Sequence, residues 1–250
     1  MTLFRSEIAM NFRFKRLSLF VAIFVVCVST AMAASTCPSA TTYASYDPNP
    51  PGTGPSITCV TDNLQFSLFG FTSSALGGAV TPTPGSVAVT VEDPAVNPLL
   101  DGAGFSYNPG MSVSAGQEQD VAISFEVTAL SGSITDLFIH FNGSVSSPTG
   151  GASTNYSETY CTSLDTNCNT FQVSDPPANL SQLITIPATT TLFITKDFTV
   201  SGGTNGSAGI SQVVNEFSTS TVPEPREIGL LGLAMIGLVL AHRRIKASVN

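Results

Sequence analysis

Positive charge is scarce in the middle of this chain. Of nine lysines and arginines, only Lys196 lies between residues 34 and 225. All of the 17 acidic residues except Glu7 and Glu227 fall in the same stretch. Fifteen acids against one lysine leave it near −14, while the whole 250-residue chain carries −8. Such a surface repels phosphate backbones, which excludes nucleic-acid binding. Solubility is the plain reading of the acidity. Tryptophan is absent and the aromatics are mainly Phe, 16 against five Tyr. An aromatic platform for a sugar ring would therefore have to come from Tyr43, Tyr46, Tyr107, Tyr156 or Tyr160.

Convincing helical periodicity is also missing outside the two ends, and Pro82, Pro84, Pro94, Pro98, Pro109, Pro176 and Pro177 break any helix near them. Period-two alternation is present instead. Val121, Ile123, Phe125 and Val127 share one face of a half-buried strand, as do Val87, Val89 and Val91, and Leu137, Ile139 and Phe141. Val213 and Phe217, separated by Asn215, add another strand. Gln65 to Phe71 is more continuously apolar, as in a strand covered on both faces. Leu192 to Val200 is a long extended stretch in which Lys196-Asp197 predicts a bulge or bend. Asn142-Gly143, Gly150-Gly151, Gly202-Gly203 and Asn205-Gly206 read as turns. Eight to eleven short strands predict an all-β fold, an antiparallel two-sheet sandwich of immunoglobulin-like or jelly-roll-like type.

Catalytic signals are few. His140 is the one histidine of the body and lies on the strand face opposite Leu137, Ile139 and Phe141, toward solvent. No G-x-S-x-G elbow occurs. Glu92-Asp93, Glu118 and Asp120 are acids for a two-carboxylate mechanism, but loop acids are usually solvated charges. The chain therefore reads as non-enzymatic. Asp101-Gly102-Ala103-Gly104 and Asp165-Thr166-Asn167 offer loop oxygens to Ca2+, yet neither has EF-hand spacing. No metal or cofactor is expected from these patterns.

At the N-terminus, Arg13, Lys15 and Arg16 precede an apolar run from Leu17 to Val28, and Ala31-Met32-Ala33 follows. This is the layout of a secretory signal peptide over residues 1–33, cleaved after Ala33 or Ala34, with Met10 an alternative start. Thr36 before Cys37 is too large for a lipoprotein site. Removal of the segment takes Cys27 with it and leaves four cysteines, an even count suited to disulfides after export. Three pairings are open. The local one, Cys37–Cys59 with Cys161–Cys168, is expected, and would stabilise by about 3 and about 2.5 kcal/mol on a chain-entropy model. A zinc site lacks any C-x-x-C spacing.

The C-terminus reads Val222-Pro223-Glu224-Pro225-Arg226-Glu227, then an apolar run from Ile228 to Ala241, then His242-Arg243-Arg244. Fourteen apolar residues make a helix of about 21 Å, short of the roughly 30 Å hydrocarbon core. Such a transmembrane segment holds a protein briefly, with the Arg243-Arg244 stop in the cytoplasm. Motif, apolar length, basic end and position together resemble the PEP-CTERM sorting signal of Gram-negative bacteria. Arg226-Glu227 stands where many members carry small polar residues.

The resemblance covers residues 222–250. It implies recognition of Val222, Pro223, Glu224 and Pro225 by an exosortase, and a place at the cell surface or in an exopolysaccharide-rich matrix. The expected layout is a signal peptide at 1–33, an exported sandwich at 34–221, and a sorting signal at 222–250 with its hydrophobic helix at 228–241. The expected route runs past signal peptidase, through an inner-membrane intermediate, to the surface. A lectin-like module for matrix polysaccharide and a secreted hydrolase are the rival functions.

Overall fold

The computed structural model describes residues 35–47, 57–94, 102–164, 166–174 and 179–220, with residue 235 alone beyond them. The signal segment 1–33 and the sorting motif 222–225 lie outside the described residues, as do Arg243, Arg244 and all of the run 228–241 except Met235. Asp101, Asp165 and most of the Pro-rich stretch from Tyr46 to Pro55 also lie outside. No helix among the described residues is long and apolar enough to cross a membrane.

Thirteen strands form among these residues. They are β1 (Thr41–Thr42), β2 (Cys59–Thr61), β3 (Leu64–Leu76), β4 (Ala88–Glu92), β5 (Ala103–Asn108), β6 (Met111–Val113) and β7 (Glu118–Ala129). The rest are β8 (Ser133–Ser146), β9 (Ser153–Ser163), β10 (Thr166–Ser174), β11 (Asn179–Thr189), β12 (Thr191–Ser201) and β13 (Ser207–Ser220). A seven-stranded sheet has the order β1-β4-β5-β13-β8-β11, with β6 also beside β13. A six-stranded sheet has the order β10-β9-β12-β7-β3-β2. All named pairings are antiparallel, and one isolated parallel bridge joins Thr36 to Val60.

The strands are more numerous and longer than the sequence predicts. β9, β10 and β11 carry Ser, Thr and Asn at their outward positions, so apolar alternation understates them. Where alternation is strict it holds: Val121, Ile123, Phe125 and Val127 are all buried, and so are Leu137, Ile139 and Phe141. These inward rows meet between the sheets. An aromatic chain runs through that layer, with Phe66 against Phe105 at 4.6 Å, Tyr46 against Phe69 at 4.9 Å, and Phe125 against Phe217 at 6.2 Å between ring centres. Edge-on and tilted rings of this kind add to the apolar burial itself.

Four expectations need correcting. β3 is not covered on both faces. Its register slips between Ser67 and Gly70, Leu68 takes a φ of 54°, and that residue turns outward at 59 % exposure while Phe66, Phe69 and Phe71 stay inside. The extra residue of a bulge resets the alternation, which explains the continuous apolar run. β12 has no bulge at Lys196-Asp197, because its ladders to β7 and β9 run unbroken from one end to the other. Asn142-Gly143 is not a turn but lies inside β8. A Cβ at Gly143 would meet the Phe141 ring at 2.9 Å and Thr154 Oγ1 at 3.0 Å, so close packing explains that glycine. Ala103-Gly104 and Thr166-Asn167 are in strands β5 and β10 rather than in ligand-bearing loops.

Gly150-Gly151 and Gly202-Gly203 do lie in connections, and the two connections interlock. Thr204 N donates to Gly150 O at 2.8 Å, and Gly116 N donates to Gly203 O at 2.6 Å. A Cβ on Gly203 would sit 2.3 Å from Gly150 O, and the residue's φ is 56°, so only glycine fits. In β11, an end strand of the larger sheet, the ladder to β8 breaks between Thr185 and Thr189, around Pro187.

Phe66 is fully buried and touches three other rings, so Phe66→Ala should lower unfolding free energy by about 3–5 kcal/mol. Denaturant midpoints of wild type and variant measure this. A loss no larger than that of a surface substitution would contradict the placement of this ring.

Candidate functional site: a charged cluster between the sheets

Charge is found where the sequence predicts none, in the layer between the sheets. β12 alternates inward through Leu192, Ile194, Lys196, Phe198 and Val200, so unbroken parity carries the body's one lysine into the core. β9 does the same for Thr154, Tyr156 and Glu158, whereas β13 is buried without a break from Val213 to Phe217, Asn215 included. Lys196, Glu158, Tyr156 and Asn215 all have 0 % exposure. Lys196 Nζ pairs with Glu158 Oε2 and donates to Tyr156 Oη at 3.1 Å, while the Tyr156 hydroxyl donates to the same Glu158 oxygen. Asn215 Nδ2 donates to Glu158 Oε1 at 3.1 Å and to Phe138 O at 3.4 Å. Glu158 belongs to the six-stranded sheet and Asn215 to the seven-stranded one, so this bond crosses the sandwich.

Rings enclose the group. Tyr156 is stacked between Phe141 and Phe198, with ring centres 5.7 Å and 5.5 Å away. Lys196 Nζ lies 5.9 Å from the Phe125 ring centre and 5.7 Å from that of Tyr156, within cation–π range. Burial lowers the Lys196 pKa, and the Glu158 charge and hydrogen bond oppose that fall. Burial also raises Tyr156 well above its usual value, reinforced by the adjacent Glu158. Three buried atoms on this inner layer, Tyr107 Oη, Thr154 Oγ1 and Asn215 Oδ1, have no hydrogen-bond partner among the described residues. Breaking one member of such a pair typically costs about 3–5 kcal/mol, because the other charge stays buried and alone.

The residues singled out from sequence are scattered. Both expected disulfides form. Cys37–Cys59 ties the chain before β1 to β2, and Cys161–Cys168 bridges β9 and β10, in which the two residues are directly paired. The tyrosine platform does not exist as such. Tyr43, Tyr46, Tyr107 and Tyr156 are buried, and Tyr160 is partly buried against the core. Phenols tolerate this where the hydroxyl is bonded, as Tyr43 Oη is to the carbonyls of Gly70 and Ser124 at 3.0 and 3.1 Å.

His140 points outward, as expected, and its Nδ1 lies 2.8 Å from Ser181 Oγ. Glu92 is on the outward side of β4, whereas Glu118 and Asp120 are on the outward side of β7. The two groups belong to opposite sheets and do not converge on one cleft. Among the described residues no three of His, Cys, Asp and Glu are grouped to hold a metal. The sequence signal for the buried cluster was available in strand parity, which places Lys196, Glu158 and Asn215 in rows of apolar neighbours.

No known family model matches the chain, and no curated protein matches it. Among solved structures it is similar to TmCBM61 in complex with beta-1,4-galactotriose, with TM-score 0.34 and 12% identity, over 60% of this chain and 88% of that one. It is also similar to the xylan-binding module CBM15, with TM-score 0.28 and 15% identity, over 67% of this chain and 100% of that one. A third is the Trichoderma harzianum Endoglucanase 3 from family GH12, with TM-score 0.26 and 11% identity, over 59% and 98%. Likenesses this distant carry no argument about this chain.

The buried phenols predict alkaline instability. Tyr43, Tyr46, Tyr107 and Tyr156 are all raised above the ordinary 10.0, chiefly by burial. Above pH 10 the unfolded chain releases these protons and the folded chain keeps them, so stability falls as pH rises. Lys196 acts in the opposite sense, and only between its lowered value and its ordinary 10.5, as one group against four. Unfolding monitored across this range should show phenolate absorbance from these residues appearing only together with loss of fold. Their ionisation near pH 10 in the intact sandwich would contradict the burial.

Proposed function

We propose that this chain is an exported, non-enzymatic β-sandwich protein of the cell surface or extracellular matrix, sorted by an exosortase through Val222, Pro223, Glu224 and Pro225. The observation that supports it best is the state of the cysteines. All four that follow the signal segment are paired, as an oxidising compartment favours. The remaining one, Cys27, lies within the segment that signal peptidase would remove. β13, the last strand among the described residues, ends at Ser220, two residues before Val222 in the sequence. On this reading the run 228–241 holds the protein in the inner membrane, with Arg243-Arg244 on the cytoplasmic side, until the exosortase cuts.

A second reading, in which the sandwich binds matrix polysaccharide, is favoured by the outward face of the six-stranded sheet. Thr195, Thr159 and Thr170 are in register across β12, β9 and β10, and the Thr159 and Thr170 hydroxyls are 2.9 Å apart. Asp197 is exposed on the same face, and Thr199 donates to Asp120 Oδ2 at 3.3 Å. Although its side chain reaches solvent, partial desolvation against the sheet raises the Asp197 pKa, with the Asp120 charge adding to it. Such rows of hydroxyl and carboxylate oxygens match the hydrogen-bonding needs of sugar hydroxyls. Phe193, half-buried beside Thr195, is an aromatic on this face, a role the buried tyrosines cannot fill.

Two measurements test these readings. Intact mass from a host with an active exosortase should show loss of both terminal segments and retention of both disulfides. A product that keeps residues 228–250 with and without the exosortase contradicts the sorting reading. For the second, retardation of the purified body in gels cast with the host's exopolysaccharide should weaken about tenfold or more in Phe193→Ala, equivalent to about 1.4 kcal/mol. Equal migration of both proteins with and without the polysaccharide contradicts it.

A further inference from the structure

The buried cluster brings together an amine, a carboxamide and a carboxylate that is bonded to both. Lys196 Nζ is on Glu158 Oε2 and Asn215 Nδ2 is on Glu158 Oε1, so the amine and the carboxamide are neighbours across one carboxylate. The Asn215 orientation follows from its two acceptors, Glu158 Oε1 and Phe138 O, which place its nitrogen rather than its oxygen toward the acid. Asn215 satisfies the second carboxylate oxygen through its nitrogen, yet its own buried oxygen is left without a partner, a cost that the hydrogen bond alone does not explain.

We propose that Lys196 and Asn215 join in an intramolecular isopeptide bond, with Glu158 relaying the protons. Lys196 Nζ attacks Asn215 Cγ, a C–N bond forms, the Cγ–Nδ2 bond breaks, and Nδ2 leaves as ammonia. Nζ starts with three protons. One passes to Glu158 as the ammonium becomes a nucleophilic amine. One stays on the new amide nitrogen. The third passes through the carboxyl to Nδ2, which is already hydrogen-bonded there. Glu158 ends protonated, with no lysine charge left to balance, and the step needs no oxidant and no co-reactant.

The surroundings favour this exchange. Desolvation beside the rings of Phe125 and Tyr156 makes the lysine easier to deprotonate, which is how buried lysines become nucleophiles. Exposure of all three reacting groups is 0 %, so water is kept from competing with the amine. Tyr107 supplies an unused hydroxyl donor on the same inner layer, and Asn215 Oδ1, where negative charge develops, is an unused acceptor. β12 and β13 follow one another in the chain but belong to opposite sheets, so the bond would tie the two sheets covalently. The inference is independent of the export reading, since it depends only on the folded body.

Peptide-level mass analysis of the folded, full-length chain tests it, and does so regardless of trimming at either end. The expected result is a branched peptide in which the Lys196 segment is joined to the Asn215 segment, lighter by one ammonia than the two unlinked peptides. E158Q whose circular dichroism and protease resistance match those of wild type should yield the unlinked peptides. Wild type that is folded and yields only unlinked Lys196 and Asn215 peptides overturns the proposal without reference to any variant. Ammonia loss mapped instead to Asn142-Gly143 or Asn205-Gly206, where ring closure on the backbone expels the same molecule, overturns it as well.

Discussion

A lysine ammonium cannot occupy a dry sandwich by itself. Once strand parity puts Lys196 inside, several other features of the core follow. A carboxylate must face it, and Glu158 on the neighbouring strand does so. The second carboxylate oxygen then needs a donor, and Asn215 supplies one from the opposite sheet. Tyr156 shares the first oxygen, and its ring is clamped between Phe141 and Phe198. One charge thus sets the identity of residues on three strands and fixes how the sheets are aligned across this part of the core. Apolar packing alone would tolerate small sliding of one sheet over the other, whereas a directional bond such as Asn215 to Glu158 does not.

Away from that cluster the sandwich is held by means that do not need charge. The aromatic chain through Tyr46, Phe69, Phe105, Phe66 and Phe217 fills the layer between β3 and the seven-stranded sheet. The disulfides sit at the margins, one at the start of the body and one in the β9–β10 hairpin. Acidic side chains such as Glu118, Asp120 and Asp197 lie on outward faces. The strongly negative body is therefore compatible with a core that holds the Lys196–Glu158 ion pair.

Much of this was legible in the sequence, for reasons that also explain the failures. Strict alternation in Val121 to Val127 has one interpretation, and local cysteine spacing favoured the pairs that form. The reading failed where one residue type stood for an environment. Lys196-Asp197 interrupts an apolar stretch and so suggests a bulge, yet Ile194 and Phe198 on either side fix the direction of Lys196. The absence of Trp leaves the tyrosines as the candidates for a sugar platform, yet the core takes four of them, with backbone carbonyls satisfying Tyr43. Asn142-Gly143 was read as a turn from its dipeptide alone, although Phe141 beside it and the strand beyond required close packing. Gln65 to Phe71 hid a bulge, because one inserted residue turns alternation into a run.

Sheet ends expose unpaired backbone groups that invite another chain to add on. β11 is an end strand of the larger sheet, and its ladder is interrupted between Thr185 and Thr189 around Pro187. Proline offers no N–H to an incoming neighbour, and the interruption ends the regular ladder at Thr185. At the end of the smaller sheet, the Cys161–Cys168 bridge keeps β10 from peeling off and exchanging with a second copy. A protein secreted at high local density among its own copies would gain from both devices, which oppose fibre growth and strand swapping without adding a single charge.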